Sequence, residues 1–188
     1  MEMKPDDSPT PVDVEVNAAA TGIIREQGPA ILRYLRALLR DEDLASDAFS
    51  LTIEWIWRGV PSFRQESSVR TWSFGIAWNA ARRLREDPWF WRRQTMQSST
   101  ASRLAAELHT ATQKTELKGE RLAELRRELS ADEQNLLVLR IDQNLDWRDI
   151  ADILAAGGDR VSDVALRKRF ERTKNRIAKL ARKRGLVE

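Results

Sequence analysis

Two cationic segments with helical patterning set the tightest limits on what this chain can fold into. They are FRQESSVRTWSFGIAWNAARRLR, from Phe63 to Arg85, and VSDVALRKRFERTKNRIAKLARKR, from Val161 to Arg184. In each, apolar residues return every three or four positions while Arg and Lys take the remaining faces. Each therefore demands a helix with one buried side and one charged side. Strand signals are scarce along the rest of the chain, so the fold class to expect is all-α. The formal net charge is only +3, yet residues 160–188 hold eleven Lys or Arg against three Asp or Glu. Acidic residues gather elsewhere, in the N-terminal stretch, at Asp41 to Asp43 and between Glu116 and Glu133. Such a division suits nucleic acid at one surface and a protein partner at another.

The periodicity divides the chain into two small helical domains joined by a flexible linker. The acidic, proline-punctuated opening MEMKPDDSPTPVDVEV reads as a mobile tail over residues 1–20. A helical domain follows over residues 21–88. Gly28-Pro29 places a proline at a helix start, and Ile31, Leu35, Leu38 and Leu39 form the first stripe. A second helix covers Leu44 to Trp57, with Ala48, Leu51 and Trp55 inward, and Gly59 and Pro61 stop it. Ser67 or Ser68 caps a third, whose Val69, Trp72, Ile76, Ala80 and Leu84 should face the core. That stripe places Trp72 inside and leaves Trp78 off it, facing DNA or the linker. Residues 89–119 read as linker, Gln/Ser/Thr-rich from Gln94 to Ser102, with a short helix over Leu104 to Leu108.

Residues 120–188 form the second domain. Ser130 caps a helix through Leu136, Leu137 and Leu139; Asp146 caps WRDIADIL, which ends at Gly157-Gly158; Ser162 caps the last helix. A short helix, a glycine-bearing turn and a basic helix make a helix-turn-helix pattern. On the last helix Leu166, Phe170, Ile177 and Leu180 form the inward stripe, and Arg167, Lys168, Glu171, Arg172 and Lys174 point away. The major groove admits a helix whose outward side chains carry such donors, with Arg as the bidentate reader of guanine and Lys as a phosphate anchor.

Several classes of function find no footing. There is no cysteine, which excludes disulfides and thiolate-held metal centres. No stretch approaches the roughly 20 apolar residues of a membrane helix, and the N-terminus is the reverse of a secretory signal. A cytoplasmic protein without a membrane partner is expected. The only histidine, His109, lies in the linker-like stretch, and no phosphate-binding loop, dinucleotide fingerprint or zinc-protease motif occurs. Asp41, Glu42 and Asp43 read as solvated charge rather than a magnesium site. No catalysis, cofactor or metal is expected.

The segment from Phe63 to Arg85 resembles the FRGESSFRTWLYRIARNLALDRLR type of segment in the extracytoplasmic-function (ECF) group of bacterial sigma factors. The upstream YLRALLRDEDLASDAFSLTIEWIWRGVPSF is similar to the helices that precede it in that group. LSADEQNLLVLRIDQNLDWRDIADIL followed by VALRKRFERTKNRI is similar to the group's reader of the −35 promoter element. The resemblance covers roughly Ile23 to Arg85 and Leu122 to Leu180, in order. It implies an initiation factor that binds the β′ and β subunits of RNA polymerase core and directs it to promoter DNA. The first unit would be sigma domain 2-like and the second sigma domain 4-like.

By that resemblance Arg167, Lys168, Arg169, Glu171, Arg172, Lys174 and Arg176 fall on the −35 reading helix. Arg64, Ser67, Ser68, Arg70, Asn79, Arg82 and Arg83 fall where the unstacked −10 strand is held, a task suited to arginines beside small hydroxyls. Asp43, Asp47, Ser50 and Glu54 fall on the polymerase-docking helix. There the family usually carries Asp-Ala-Glu-Asp-Leu and then Gln-Glu, whereas this chain has Leu44-Ala45-Ser46-Asp47-Ala48 and then Ser50-Leu51. A phosphate on Ser46, Ser50 or Thr52 would restore the missing negative charge. A Ser/Thr kinase or an anti-sigma factor is therefore a further candidate partner. The competing reading is a helix-turn-helix regulator without sigma activity, which has no need of the segment from Ser67 to Arg85.

Overall fold

The computed structural model describes residues 11–87, 99–112 and 128–185. Every regular element among them is helical. Helix α1 spans Pro11–Leu39 and runs straight through Gly28-Pro29, where the sequence pointed to a start. Pro29 has no N–H to offer the carbonyl of Arg25, an interior defect worth about 3 kcal/mol. Burial of Ile24, Ile31, Leu32 and Leu35 on either side of it outweighs that loss. The same burial extends the helix backwards. Residues 11–20, read as tail, are helical, and Ala20 is fully buried. Residues 1–10 of that tail lie outside the described residues.

Helix α2 spans Glu42–Gly59 and is capped by Asp41, whose Oδ1 accepts from Leu44 N–H at 2.9 Å. Glu42 and Asp43 in its first turn complement the helix dipole. A 3₁₀ turn at Val60–Ser62 leads through an irregular loop to α3, Val69–Glu86. Helix α4, Ser99–Thr112, lies within the stretch read as linker. It packs on α1 and α2 with Ala101, Leu104 and Ala105 buried. Gly28 permits that approach, since a Cβ there would stand 2.5 Å from Leu108 Cδ1. The rest of the expected linker lies outside the described residues.

In the second unit α5, Ala131–Leu137, begins on a capping box between Ser130 and Glu133 and continues as a π-helical stretch, Val138–Asp142. Helix α6, Trp147–Ala156, and α7, Asp163–Lys183, follow, joined by the glycine-bearing turn at residues 157–162. Ser162 caps α7, accepting from Ala165 N–H at 3.3 Å. Asp146 stands at the N-cap of α6 but accepts no capping bond; its carboxylate lies 3.9 Å from Arg140.

The helices on either side of the expected linker are packed on one another. Helices α1, α2 and α3 enclose Tyr34, Phe49 and Phe74, with Tyr34 edge-on to Phe74 at 5.3 Å. Helix α6 lies along another side of α3, and α5 with its π-helical stretch meets α1. Apart from Ala20 and Ala181, the buried apolar residues among those described form one continuous cluster from Ile24 to Phe170. Helix α3 is thus covered on two sides. Of its expected stripe, Ala80 and Leu84 are buried while Val69, Trp72 and Ile76 are half-buried. Trp72 stacks on Phe63 at 4.6 Å and covers Gly59 instead of entering the core. Trp78, off the stripe, is only 2% exposed.

Candidate nucleic-acid interface

The cleaner of the two cationic surfaces is on α7. Leu166, Phe170, Thr173 and Ala181 are buried against α5 and α6, which fixes the helix's rotation. Lys168, Glu171 and Arg172 stand opposite that seat and are exposed, as the sequence expected. Val164, 56% exposed, and Asn175 share their face; the sequence reading passed over both. Arg167 and Lys174 flank one side. Arg167 pairs with Asp163 at 3.5 Å and lies over the Trp147 ring, and Lys174 pairs with Glu171 at 3.1 Å. Trp147 is wedged edge-on against Phe170 at 5.3 Å, so it supports the helix that Arg167 belongs to.

Arg169 and Arg176 flank the other side, lining a groove between α5 and α7. Arg176 is drawn into that groove. Its guanidinium meets Glu133 at 2.9 Å and donates to Glu128 O at 3.0 Å. Arg176, which the resemblance placed on the −35 reading helix, thus also braces α7 against α5. Partial burial pushes the Glu133 carboxyl up, but the Ser130 N–H and the Arg176 guanidinium together hold it below the usual carboxylate range.

The α3 region divides into an open part and a covered part. Arg64, Gln65, Glu66 and Ser68 in the loop are exposed, and Ser67 is half-buried. Gln65 takes φ 57°, the left-handed region glycine adopts freely, at the position where the family segment carries Gly. Ser68 is the N-cap of α3, accepting from Thr71 N–H at 3.0 Å, with its hydroxyl 2.8 Å from that of Thr71. Arg83 is exposed further along.

Arg70, Asn79 and Arg82 are engaged with the second unit. Arg70 donates to Gln143 O at 2.7 Å, and Asn79 Nδ2 to Ala156 O at 3.0 Å. Arg82 donates to Gly157 O and faces Asp159 at 3.7 Å. Between them Thr71 donates its hydroxyl to Asp149 at 3.0 Å. A second buried polar contact joins the units: Tyr34 O–H donates to Asn135 Oδ1 at 2.7 Å. Burial pushes the Tyr34 phenol well above its ordinary range, and burial lowers that of Arg85, whose guanidinium donates to Leu38 O at 2.8 Å.

On α2, Asp43 is exposed, and Ser46, Asp47 and Ser50 are half-buried. Two of the sequence candidates do not reach this surface. Glu54 is 1% exposed and paired with Arg58 at 2.8 Å, so it faces the interior rather than a partner. Thr52 is fully buried and its hydroxyl donates to Ala48 O at 2.7 Å, which removes it as a kinase substrate in this fold. Among the described residues no group of three or more His, Asp or Glu side chains could hold a metal ion. Nor is any helix among them long and apolar enough to cross a membrane.

Residues 23–95 match the family model for Sigma-70 region 2. The chain is also similar to the RNA polymerase sigma factor YlaC of Bacillus subtilis (strain 168), 29% identical over 163 residues, covering 81% of this chain and 89% of that protein. No solved structure gives a match. The matched region contains α2, the Arg64–Ser68 loop and α3. Both likenesses support a sigma-factor role.

Proposed function

We propose that this protein is an ECF-type sigma factor that brings RNA polymerase core to promoters, reading the −35 duplex with α7 and holding the opened −10 strand with the Arg64–Ser68 loop and α3. The observation that carries the reading is the pairing of two unlike surfaces in one chain. Helix α7 presents Lys168, Glu171 and Arg172 to solvent on a helix-turn-helix seat, and the region matching Sigma-70 region 2 carries a second cationic helix. A duplex reader alone accounts for the first surface and leaves the second without a task. Polymerase docks on the first half of α2, where exposed Asp43 and half-buried Asp47 and Ser50 share a face at helical spacing.

The test is run-off transcription with purified core polymerase on a library of promoter fragments. A sigma factor makes core start at defined sites and leaves thymines near the start reactive to permanganate. A helix-turn-helix regulator binds duplex yet starts nothing unless a separate sigma factor is added, and that outcome would replace this reading.

The docking surface is short of the family's acidic pattern, and Ser46 stands at the residue that breaks it. A phosphate there adds nearly two negative charges to a helix face awaiting a cationic partner. Ser46→Glu should strengthen capture of core polymerase over Ser46→Ala. Equal capture by both and by the untreated protein would remove the switch while leaving the sigma reading intact.

A further inference from the structure

We propose that the free protein holds itself closed, with the C-terminal end of α6 occupying the face of α3 that an opened strand needs while the reading face of α7 stays free. The inference rests on the reading of α3 as a strand-holding helix. An opened strand offers phosphate and base oxygens as acceptors, together with negative charge. The second unit offers α3 the same chemistry. Gln143 O, Ala156 O and Gly157 O accept from Arg70, Asn79 and Arg82, three residues on the expected strand-holding face. Two of these carbonyls lie at the C-terminus of α6, where the helix dipole places partial negative charge. Asp159 adds a carboxylate 3.7 Å from Arg82, and Asp149 accepts from Thr71 at 3.0 Å. The C-terminal end of α6, with Asp149 in its first turn and Gln143 before it, thus imitates an anionic strand.

The backbone is shaped for this approach. A Cβ added at Gly75 would lie 3.2 Å from Ala156 Cβ, and one added at Gly157 would lie 2.7 Å from Trp78 Nε1. Glycine at both positions lets the helices meet as closely as the hydrogen bonds require. The seam is also imperfect. Trp78 Nε1 is buried there with no hydrogen-bond partner among the described residues. Closure that strands a donor is closure that a better set of acceptors can undo. Among the described residues nothing comparable covers α7, whose Lys168, Glu171 and Arg172 remain exposed in the closed form.

The chain has no cysteine, so a disulfide can be placed without competition. In Gly75→Cys/Ala156→Cys the facing Cβ positions, 3.2 Å apart, need to relax only slightly to reach the ~3.5–4.5 Å of a disulfide. The probes are a labelled pool of short, random-sequence single-stranded DNA and a promoter-length duplex, each offered to oxidised and reduced protein. Oxidation should form the bond in the free protein and remove strand binding by at least about tenfold, because the competent fraction falls toward zero. Reduction should restore it, and duplex binding should hardly change. Gly157→Leu, on the α6 side, should open the seam and raise strand affinity several-fold over the parent.

Failure of the bond to form would show that the two helices do not meet in solution, which overturns the proposal. Equal strand binding by oxidised and reduced protein overturns it too, since the covered face would then be unnecessary. If neither form nor Gly157→Leu binds single strands, the strand-holding role of α3 falls, and the closed-form inference with it. Run-off transcription by the unmodified protein tells that outcome apart from loss of the sigma reading as a whole.

Discussion

Helices α3 and α7 are the two cationic helices of this chain, and their surroundings could hardly differ more. Helix α7 rests one side on α5 and α6 and shows the other to solvent, so its pattern of apolar and charged residues matches its burial almost residue for residue. Helix α3 lies between α1 and α2 on one side and α6 on another, with Thr71, Phe74, Gly75, Trp78 and Ala81 all buried. An amphipathic pattern reports one buried face. It cannot report a second face covered by small residues and by arginines that find carbonyl partners.

The largest effect that separates the two environments is on core packing. Phe74 of α3 is fully buried against Tyr34 of α1, whereas Phe170 retains 9% exposure beside Trp147. Truncating a buried Phe costs about 3–5 kcal/mol, depending on how far the site can collapse. Phe74→Ala should fall at the top of that range and shift the whole urea transition. Phe170→Ala should cost less, because α7 sits at the rim and can settle into the space. Equal losses would mean that α7 is as deeply seated as α3, and the contrast would fail.

The same contrast decides what was legible in the sequence. The helical class, the caps at Ser68, Ser130 and Ser162, and the outward face of α7 follow from local chemistry and are visible without a fold. The exit of Glu54 and Thr52 from the docking surface was not legible. Each is polar at a position read as outward, yet each finds its partner within α2, in Arg58 and in the Ala48 carbonyl. The tie of Arg176 was not legible for the opposite reason: it belongs to a basic helix, but its partner Glu133 lies on α5, far away in sequence. Pro29 gave a local signal to break that tertiary burial overrode in α1, as it overrode Ser99, Thr100 and Ser102 at the start of α4. Gly75 carried a sign of the α3–α6 contact, since a glycine inside a helix is a cost that close packing can justify; Gly157, just past the end of α6, read only as a helix stop.

A second experiment sharpens the comparison within α7 itself. Arg172→Ala should relax discrimination among −35 sequences by about 1–3 kcal/mol per lost bidentate contact, measured by competition between duplexes. Arg176→Ala should leave sequence preference nearly intact and lower stability instead, because it removes the tie to Glu133 and Glu128. If both variants weaken all duplexes evenly, these arginines anchor phosphates and neither reads bases. Their binding should then vary more steeply with salt than a base contact would allow.

The caps offer a smaller contrast of the same kind. Ser162 caps α7 through a single exposed bond to Ala165 N–H at 3.3 Å. Ser68 caps α3 at 3.0 Å and also touches the Thr71 hydroxyl, which in turn donates to Asp149 on α6. Replacing an N-cap serine by alanine costs about 1 kcal/mol. Ser162→Ala should show that loss alone. Ser68→Ala should show more in the free protein, since it disturbs the Thr71–Asp149 contact, and the excess should vanish in Ser68→Ala/Asp149→Ala. Additive losses in that double variant would separate the cap from the seam.

The least of these effects belongs to Glu133, and it isolates the seat of α7. Its carboxyl is held below the ordinary value by the Ser130 N–H and Arg176. The ionised form is therefore favoured by folding. The stability it supplies is complete above its unfolded value, near ~4.3, and is lost as pH falls through its lower folded value. Wild-type and Glu133→Gln proteins should accordingly differ most in urea midpoint at neutral pH and converge in acid. Protonation there releases Arg176 from α5, so the loss should be accompanied by hydrogen exchange along α7 and the start of α5, with the α3–α6 seam still protected. Exchange that spreads first through α3 would place the weaker joint at the covered surface, reversing the order of stability that the two helices' burial dictates.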